Sequence, residues 1–299
     1  MQSVKFPMWI IFAVISALAI TARTLYTKKI LNEKIGPFFT IWITVFIAMI
    51  FSGVVGLIVG FTTPTADFWP ILLFRVILDS IALVSFTYAI KQKEVSLVVP
   101  MLAFSPVFAS ISGFVMVGQL PSDIGIIGIC IIVLGGLMVV LAEVDYHSFR
   151  ANISLLKTIG LLLVTLICWS FLASLHKLGI DNSSSVTYLF LGNLAFSLVF
   201  FLPALLIDKV DFKKFTKLKI SPGVYLLGLF LVIEFGSQLI AIQSGLVGYV
   251  SAIKSSNIVI TTIAAIVLLK ERPGKFKLAI RIAGTLVAVI GVVLIVLTR

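Results

Sequence analysis

The sequence predicts an all-α polytopic membrane protein, with ten transmembrane helices built as two inverted five-helix repeats. Three observations predict it. Apolar residues make up 60% of the 299-residue chain and charged residues 12%, with a mean hydropathy of +1.21, far from the make-up of a water-soluble domain. The apolar residues gather into ten runs of membrane-spanning length, and the second half of the chain repeats the pattern of the first.

A hydrocarbon core ~30 Å thick is crossed by about 20 helical residues rising ~1.5 Å each. The runs cover approximately 7–25, 37–61, 68–90, 95–117, 122–142, 155–178, 185–207, 222–244, 247–269 and 278–297. They lack the alternation of barrel strands, and backbone groups in lipid must be satisfied within the segment, so all ten are expected to be α-helices. The first run resembles a signal peptide in having Lys5 ahead of it and Ala17-Leu18-Ala19 within it. It is read as a span because it stays apolar to Leu25, closes with Lys28 and Lys29, and has a counterpart at 155–178.

Each later run has its own mark. The second has a stripe of small residues, Ser52, Gly56 and Gly60, suited to packing, and the third contains Arg75 and Asp79. Pro100 and Pro106 are expected to kink the fourth. Gly128 and Gly135 in the fifth match the spacing of Gly284 and Gly291 in the tenth, and glycines seven apart share a helix face and allow close backbone approach. The sixth holds Trp169 and Ser170, the seventh Asn193, the eighth Glu234 and Gln238, and the ninth Lys254.

The repeat is clearest at 89–121 against 241–273, which align without a gap and superpose Ala89, Ile90, Val95 and Pro121 on Ala241, Ile242, Val247 and Pro273. The first unit is taken as 1–150 and the second as 151–299. An odd number of helices per unit forces the copies into opposite orientations, a construction typical of secondary transporters with a site near the midplane. The net charge of +11 is concentrated in short loops, where it serves orientation rather than nucleic-acid binding. The 1–2, 3–4, 5–6, 7–8 and 9–10 loops and flanks hold 18 of the 23 Lys and Arg residues, including Lys209, Lys213, Lys214, Lys217 and Lys219. That bias puts those loops in the cytoplasm and both termini outside.

Polar groups inside apolar helices are the candidate site residues, because hydrocarbon penalises them unless they serve a cavity or a partner. Lys254 lies about seven residues, roughly 10 Å, inside the ninth run. A snorkelling side chain is one reading. The surrounding Ser251, Ser255, Ser256 and Asn257 favour a cavity-facing one. Glu234 and Asp79 lie near the centres of the eighth and third runs, within about one turn of repeat-equivalent positions. Each is a candidate for proton or ion coupling, since hydrocarbon disfavours an ionised carboxylate, while a nearby Lys254 or Arg75 would hold it ionised. Arg75, four residues from Asp79 on one face, allows a purely structural pair. Gln238 shares the Glu234 face, and Gln243 is read as interfacial. Trp169 with Ser170 and Thr21 with Arg23 occupy corresponding places in the two halves. Trp169 is read as a stacking contact or as packing, and Asn193 as an interhelical hydrogen bond or a wall residue.

The chain resembles the drug/metabolite transporter superfamily, specifically its EamA-type members. The resemblance rests on ten spans in two halves, Pro106 through Gly118-Gln119-Leu120-Pro121, the Lys270-Glu271-Arg272-Pro273 ending of the ninth run, and the following glycine pairs. Trp169 and Lys177 also match the tryptophan and closing basic residue that begin such a repeat; Ile20 replaces the tryptophan in the first copy, and Lys28 is kept. The resemblance implies both termini in the cytoplasm, opposite to the charge bias. The ninth run is similar to that of triose-phosphate translocators, whose Lys-Arg pair binds phosphate. Here Lys254 matches the lysine and Ser255 replaces the arginine, which implies a carboxylate or another anionic group rather than phosphate.

Together these readings predict a secondary active transporter, an exporter or exchanger, of a small organic metabolite, anionic or zwitterionic such as an amino acid, working by alternating access. Lys254, Glu234, Gln238, Asn257, Ser255 and Trp169 are the expected substrate contacts. The setting is a lipid bilayer, with a prokaryotic cytoplasmic membrane expected, and the assembly is a monomer or homodimer. A flippase for lipid or lipid-linked precursors and a non-transporting membrane interaction protein are the alternatives. No cofactor, metal site or enzymatic motif is expected. Cys130 and Cys168 sit in apolar runs, His147 and His176 lie apart, and there is no Gly-rich phosphate loop.

Overall fold

Local sequence chemistry accounts for most of the helix boundaries in a computed structural model of the chain, which describes residues 7–32, 35–93, 95–102, 104–143, 153–208, 222–268 and 274–297. The first half comprises α1 (Met8–Asn32), α2 (Pro37–Val59), α3 (Phe68–Gln92), α4a (Val95–Val98), α4b (Ser105–Val117) and α5 (Asp123–Glu143). The second comprises α6 (Ile153–Asp181), α7 (Ser185–Leu206), α8 (Pro222–Ser244), α9a (Val247–Ser255), α9b (Asn257–Leu268) and α10 (Lys275–Leu297). Seven of these helices, among the described residues, are long and apolar enough to cross a membrane, and α4b and α5 are shorter apolar segments. Lys209 to Lys219, the Lys270-Glu271-Arg272-Pro273 motif, His147 and the junction near residue 150 lie outside the described residues.

Pro37 opens α2, where its missing N–H costs nothing, and Asp208 accepts from Phe39 N at 2.8 Å in the same first turn. Ser184 caps α7, accepting from Thr187 N at 3.2 Å. Gly118, at φ +70°, ends α4b and returns its N–H and that of Gln119 to the Phe114 and Gly113 carbonyls. The turn aims Gln119 Oε1 at Val247 N, 2.9 Å away at the start of α9a. Part of the family-like Gly-Gln-Leu-Pro motif thus ties one repeat to the other.

Loops sort onto two faces as an inverted repeat requires. Thr62 and Thr65, between α2 and α3, bond to Thr187 and Asn182 around the α6–α7 turn, and Tyr249 Oη lies 2.9 Å from Ser122 N. At the other face, Lys28 Nζ donates to the carbonyls of Ile90 and Lys93 at 2.9 and 3.0 Å. The packing is itself symmetric under exchange of the halves: α1 packs on α8 as α6 packs on α3, and α2 on α7 and α5 on α10 are self-equivalent pairs. The most extensive helix pairings therefore join one repeat to the other, so the halves interleave. The α5–α10 seam needs its glycines, since a Cβ on Gly135 would collide with the Gly284 carbonyl and one on Gly291 with the Gly128 carbonyl.

The fourth span of each repeat is broken, which corrects the expectation of one kinked and one continuous helix. In the first repeat, a 3₁₀ turn at Val99–Leu102 separates α4a from α4b, with Pro106 in the first turn of α4b. The ninth span breaks at the matching depth without a proline. Ser255 Oγ and Ser256 Oγ turn back onto the Ser251 and Ile253 carbonyls at 2.9 and 2.7 Å, and Ser256 N also bonds to Ile253 O at 3.1 Å, tightening the last turn of α9a. The two breaks touch, with Ser105 Oγ 3.1 Å from Ser255 Oγ.

Candidate functional site

A central cavity of ≈ 150 Å³ lies between the repeats. That is room for about five water molecules at ~30 Å³ each, the scale of a small metabolite. Lys254 stands in the last turn of α9a, immediately before the break, where the helix dipole favours a cation. Its side chain is 18% exposed and lines the cavity. Nζ donates to Glu234 Oε1 at 2.9 Å and to Gln238 Oε1 at 2.6 Å, both from successive turns of one α8 face.

The second oxygen of Glu234 accepts from Arg23 Nε at 2.6 Å. Glu234 thus bridges a cation on α1 and a cation on α9a. Ser16 on α1 donates to the Glu234 carbonyl at 2.8 Å, pinning the two helices beside the charged cluster. Sequence reasoning missed Arg23 in this role and counted it with the basic loop flanks. The apolar run was drawn to end at Leu25, whereas α1 continues to Asn32 and places Arg23 well inside the span. The available signal was an arginine among buried small residues, with apolar Leu172 at its repeat-equivalent position.

Asp79 lines another part of the cavity, and its Oδ1 accepts Trp169 Nε1–H at 3.2 Å. The Arg75–Asp79 pair that their spacing allows does not form: the described ion pairs are Arg23–Glu234, Lys254–Glu234 and Lys177–Asp181. Arg75 is 2% exposed and turns into an aromatic enclosure instead. Its guanidinium carbon lies 4.4 Å from the Tyr188 ring centroid, 4.5 Å from that of Phe235 and 5.3 Å from that of Phe196. Nη1 donates to the Tyr188 carbonyl at 3.0 Å, and Gly192 leaves the room the side chain occupies. Three π faces and a carbonyl compete successfully with a carboxylate one turn away.

The remaining polar residues divide. Ser255 and Asn257, each 8% exposed, line the cavity at the helix break, and Trp169 packs on Phe86 with ring centroids 4.9 Å apart. Asn193 lines the cavity while donating to Ser52 Oγ at 3.4 Å. Gln243 sits apart and bonds to Ser185 Oγ at 2.8 Å. His176, on α6, also lines the cavity wall, with Nδ1 3.1 Å from Tyr188 Oη.

Aligned helix by helix, with α1 on α6 and α3–α4 on α8–α9, the repeats expose an asymmetry. Lys254, Arg23 and Asp79 are equivalent to Leu102, Leu172 and Leu231, and Trp169 to Ile20. All four of those apolar residues also line the cavity. The pseudo-symmetric frame therefore encloses a cavity in which these charged positions have no charged counterpart in the other repeat. Three cations, Arg23, Arg75 and Lys254, stand against two carboxylates, Asp79 and Glu234. The site carries an unbalanced positive charge when His176 is neutral.

The model of the EamA-like transporter family matches residues 7–141 and 156–297, one match for each repeat. Among solved structures, 28 chains match. One, a crystal structure described only as that of a protein, superposes with a TM-score of 0.72 at 15% identity over 96% of each chain, a likeness of fold. No curated protein matches the chain.

Proposed function

The chain belongs to the EamA-like transporter family and is a multi-pass membrane transporter of small molecules, and from that premise we propose that it is a secondary active carrier for a small organic metabolite bearing an anionic group. The observation that carries this reading is the Arg23–Glu234–Lys254 cluster, two cations on one buried carboxylate inside a metabolite-sized cavity. In the empty state Glu234 serves as the internal counter-ion. An arriving carboxylate takes the place of Glu234 on Lys254, while Gln238, Ser255 and Asn257 supply hydrogen bonds and Trp169 an apolar wall. Glu234 remains on Arg23, so the exchange strands no charge, which matters because an unpaired ion in this environment costs several kcal/mol.

Substrate binding then loosens the link between α8 and α9a while α1 stays on α8. Because the breaks of α4 and α9 meet beside the site, their half-helices are the natural elements to swing, exposing the cavity to alternate faces in the manner of inverted-repeat carriers. A proton on Glu234 weakens its contacts with Arg23 and Lys254 and provides a route to coupling, with Asp79, bonded to Trp169 apart from that cluster, as the second candidate. We place the protein in a prokaryotic cytoplasmic membrane, as an exporter or exchanger.

A thermal-stability screen of the purified protein against small carboxylates, amino acids, sugar phosphates and nucleosides tests the reading, since a ligand that prefers the folded state raises its stability. Carboxylate-bearing compounds are expected to stabilise wild type and to lose that effect in Lys254→Gln. Stabilisation by nucleosides alone, indifferent to Lys254, contradicts it.

A further inference from the structure

We propose that Asp79, with Trp169 and Phe86, forms a second subsite in the cavity that takes a protonated amine, so that the transported molecule is a zwitterion. The inference rests on the transport reading above and adds the opposite pole to it. Asp79 is a cavity-lining carboxylate that no described Lys or Arg approaches within ion-pair distance, Arg75 and Arg23 acting on it only from farther away. One oxygen is held by Trp169 Nε1–H at 3.2 Å. The other is neither sealed among the buried unpartnered atoms nor bonded to a described donor. The cation best placed to neutralise it, Arg75 one turn away, is occupied by the Tyr188 carbonyl and by three aromatic rings.

An ionised carboxylate held this way in a low-dielectric cavity is stabilised by a cation. Trp169 and Phe86, with ring centroids 4.9 Å apart, add π faces to which an ammonium is attracted. The Arg23–Glu234–Lys254 cluster, built from α1, α8 and α9a, holds the excess positive charge, whereas Asp79 and Trp169 come from α3 and α6. The cavity therefore offers an acid-binding pole and an amine-binding pole on different helices. A ligand with an acid alone satisfies the first and leaves Asp79 without a directly paired cation.

The purified full-length protein is titrated by thermal stability with each common L-amino acid, its des-amino acid and its decarboxylated amine; for L-leucine these are 4-methylpentanoate and 3-methylbutylamine. At least one amino acid is expected to bind roughly 10- to 100-fold more tightly than either truncated partner, the range of one charge-assisted hydrogen bond. In Asp79→Asn the amino acid should fall to the affinity of its des-amino acid, whose own binding is unchanged. Trp169→Phe keeps the ring and removes the N–H, and a smaller loss confined to the amine-bearing ligand is expected from it, which keeps the idea testable where Asp79→Asn fails to fold. Des-amino acids binding wild type as tightly as amino acids would overturn the amine subsite and leave acid transport standing. Failure of every carboxylate-bearing compound to bind would overturn both.

Discussion

Glu234 is the residue on which the charged cluster depends, because it neutralises Arg23 and Lys254 at once. Removing it should be far worse than removing either cation. Glu234→Ala strands two buried positive charges, and breaking one buried pair already costs ~3–5 kcal/mol. Thermal denaturation should show Glu234→Ala much less stable than Lys254→Gln, with Arg23→Leu/Glu234→Leu recovering part of the loss; equal melting temperatures for all three would contradict the bridging role. Lys254, Glu234 and Gln238 were legible in sequence because charge or amide in an apolar run stands out and two of them share a helical face. Arg23 was not, since its significance depends on where α1 ends. Arg75 misled for another reason: spacing along a helix reports which neighbours are near, and says nothing of aromatic rings contributed by α7 and α8 that compete for the same cation.

At the scale of elements, the broken spans and the glycine seam divide the molecule into parts that move and parts that hold. The α5–α10 pair is packed backbone to backbone, so Gly135→Val should overpack it and cost ~1–3 kcal/mol in thermal stability. The breaks call for the opposite kind of test. Ser105 and Ser255 have hydroxyl oxygens 3.1 Å apart at the crossing of α4 and α9. A Ser105→Cys/Ser255→Cys pair should cross-link under oxidation and stop flux in proteoliposomes, with reductant restoring it; undiminished flux in the cross-linked protein would show that the crossing does not move. Pro100 and Pro106 announced the first break. The second is hidden because Ser251, Ser255, Ser256 and Asn257 surround Lys254 as the polar part of one continuous helix would, when two of those serines turn back to bond the preceding turn.

For the whole molecule, the repeat and the sorting of loops onto two faces follow from span length and an odd helix count per unit, which is why they are legible in the sequence. The interleaving could not, since it depends on which apolar faces meet, and apolar faces look alike in sequence. Its consequence is that α1 with α8, and α3 with α6, are the compact pairs around the cavity, each drawing a helix from both halves. The charged chemistry is supplied unequally. Lys254, Arg23 and Asp79 have leucines at the equivalent positions, so one copy contributes charge where the other contributes only shape. That asymmetry makes the central claim a narrow one, a single cavity with one acid-binding pole centred on Lys254. The most direct measurement is flux of a stabilising carboxylate into proteoliposomes containing wild type or Lys254→Ala, across a range of pH. The account predicts that Lys254→Ala transports roughly 10- to 100-fold less efficiently, the scale of a lost charge-assisted contact. A variant that matches wild type in both rate and pH dependence would contradict it.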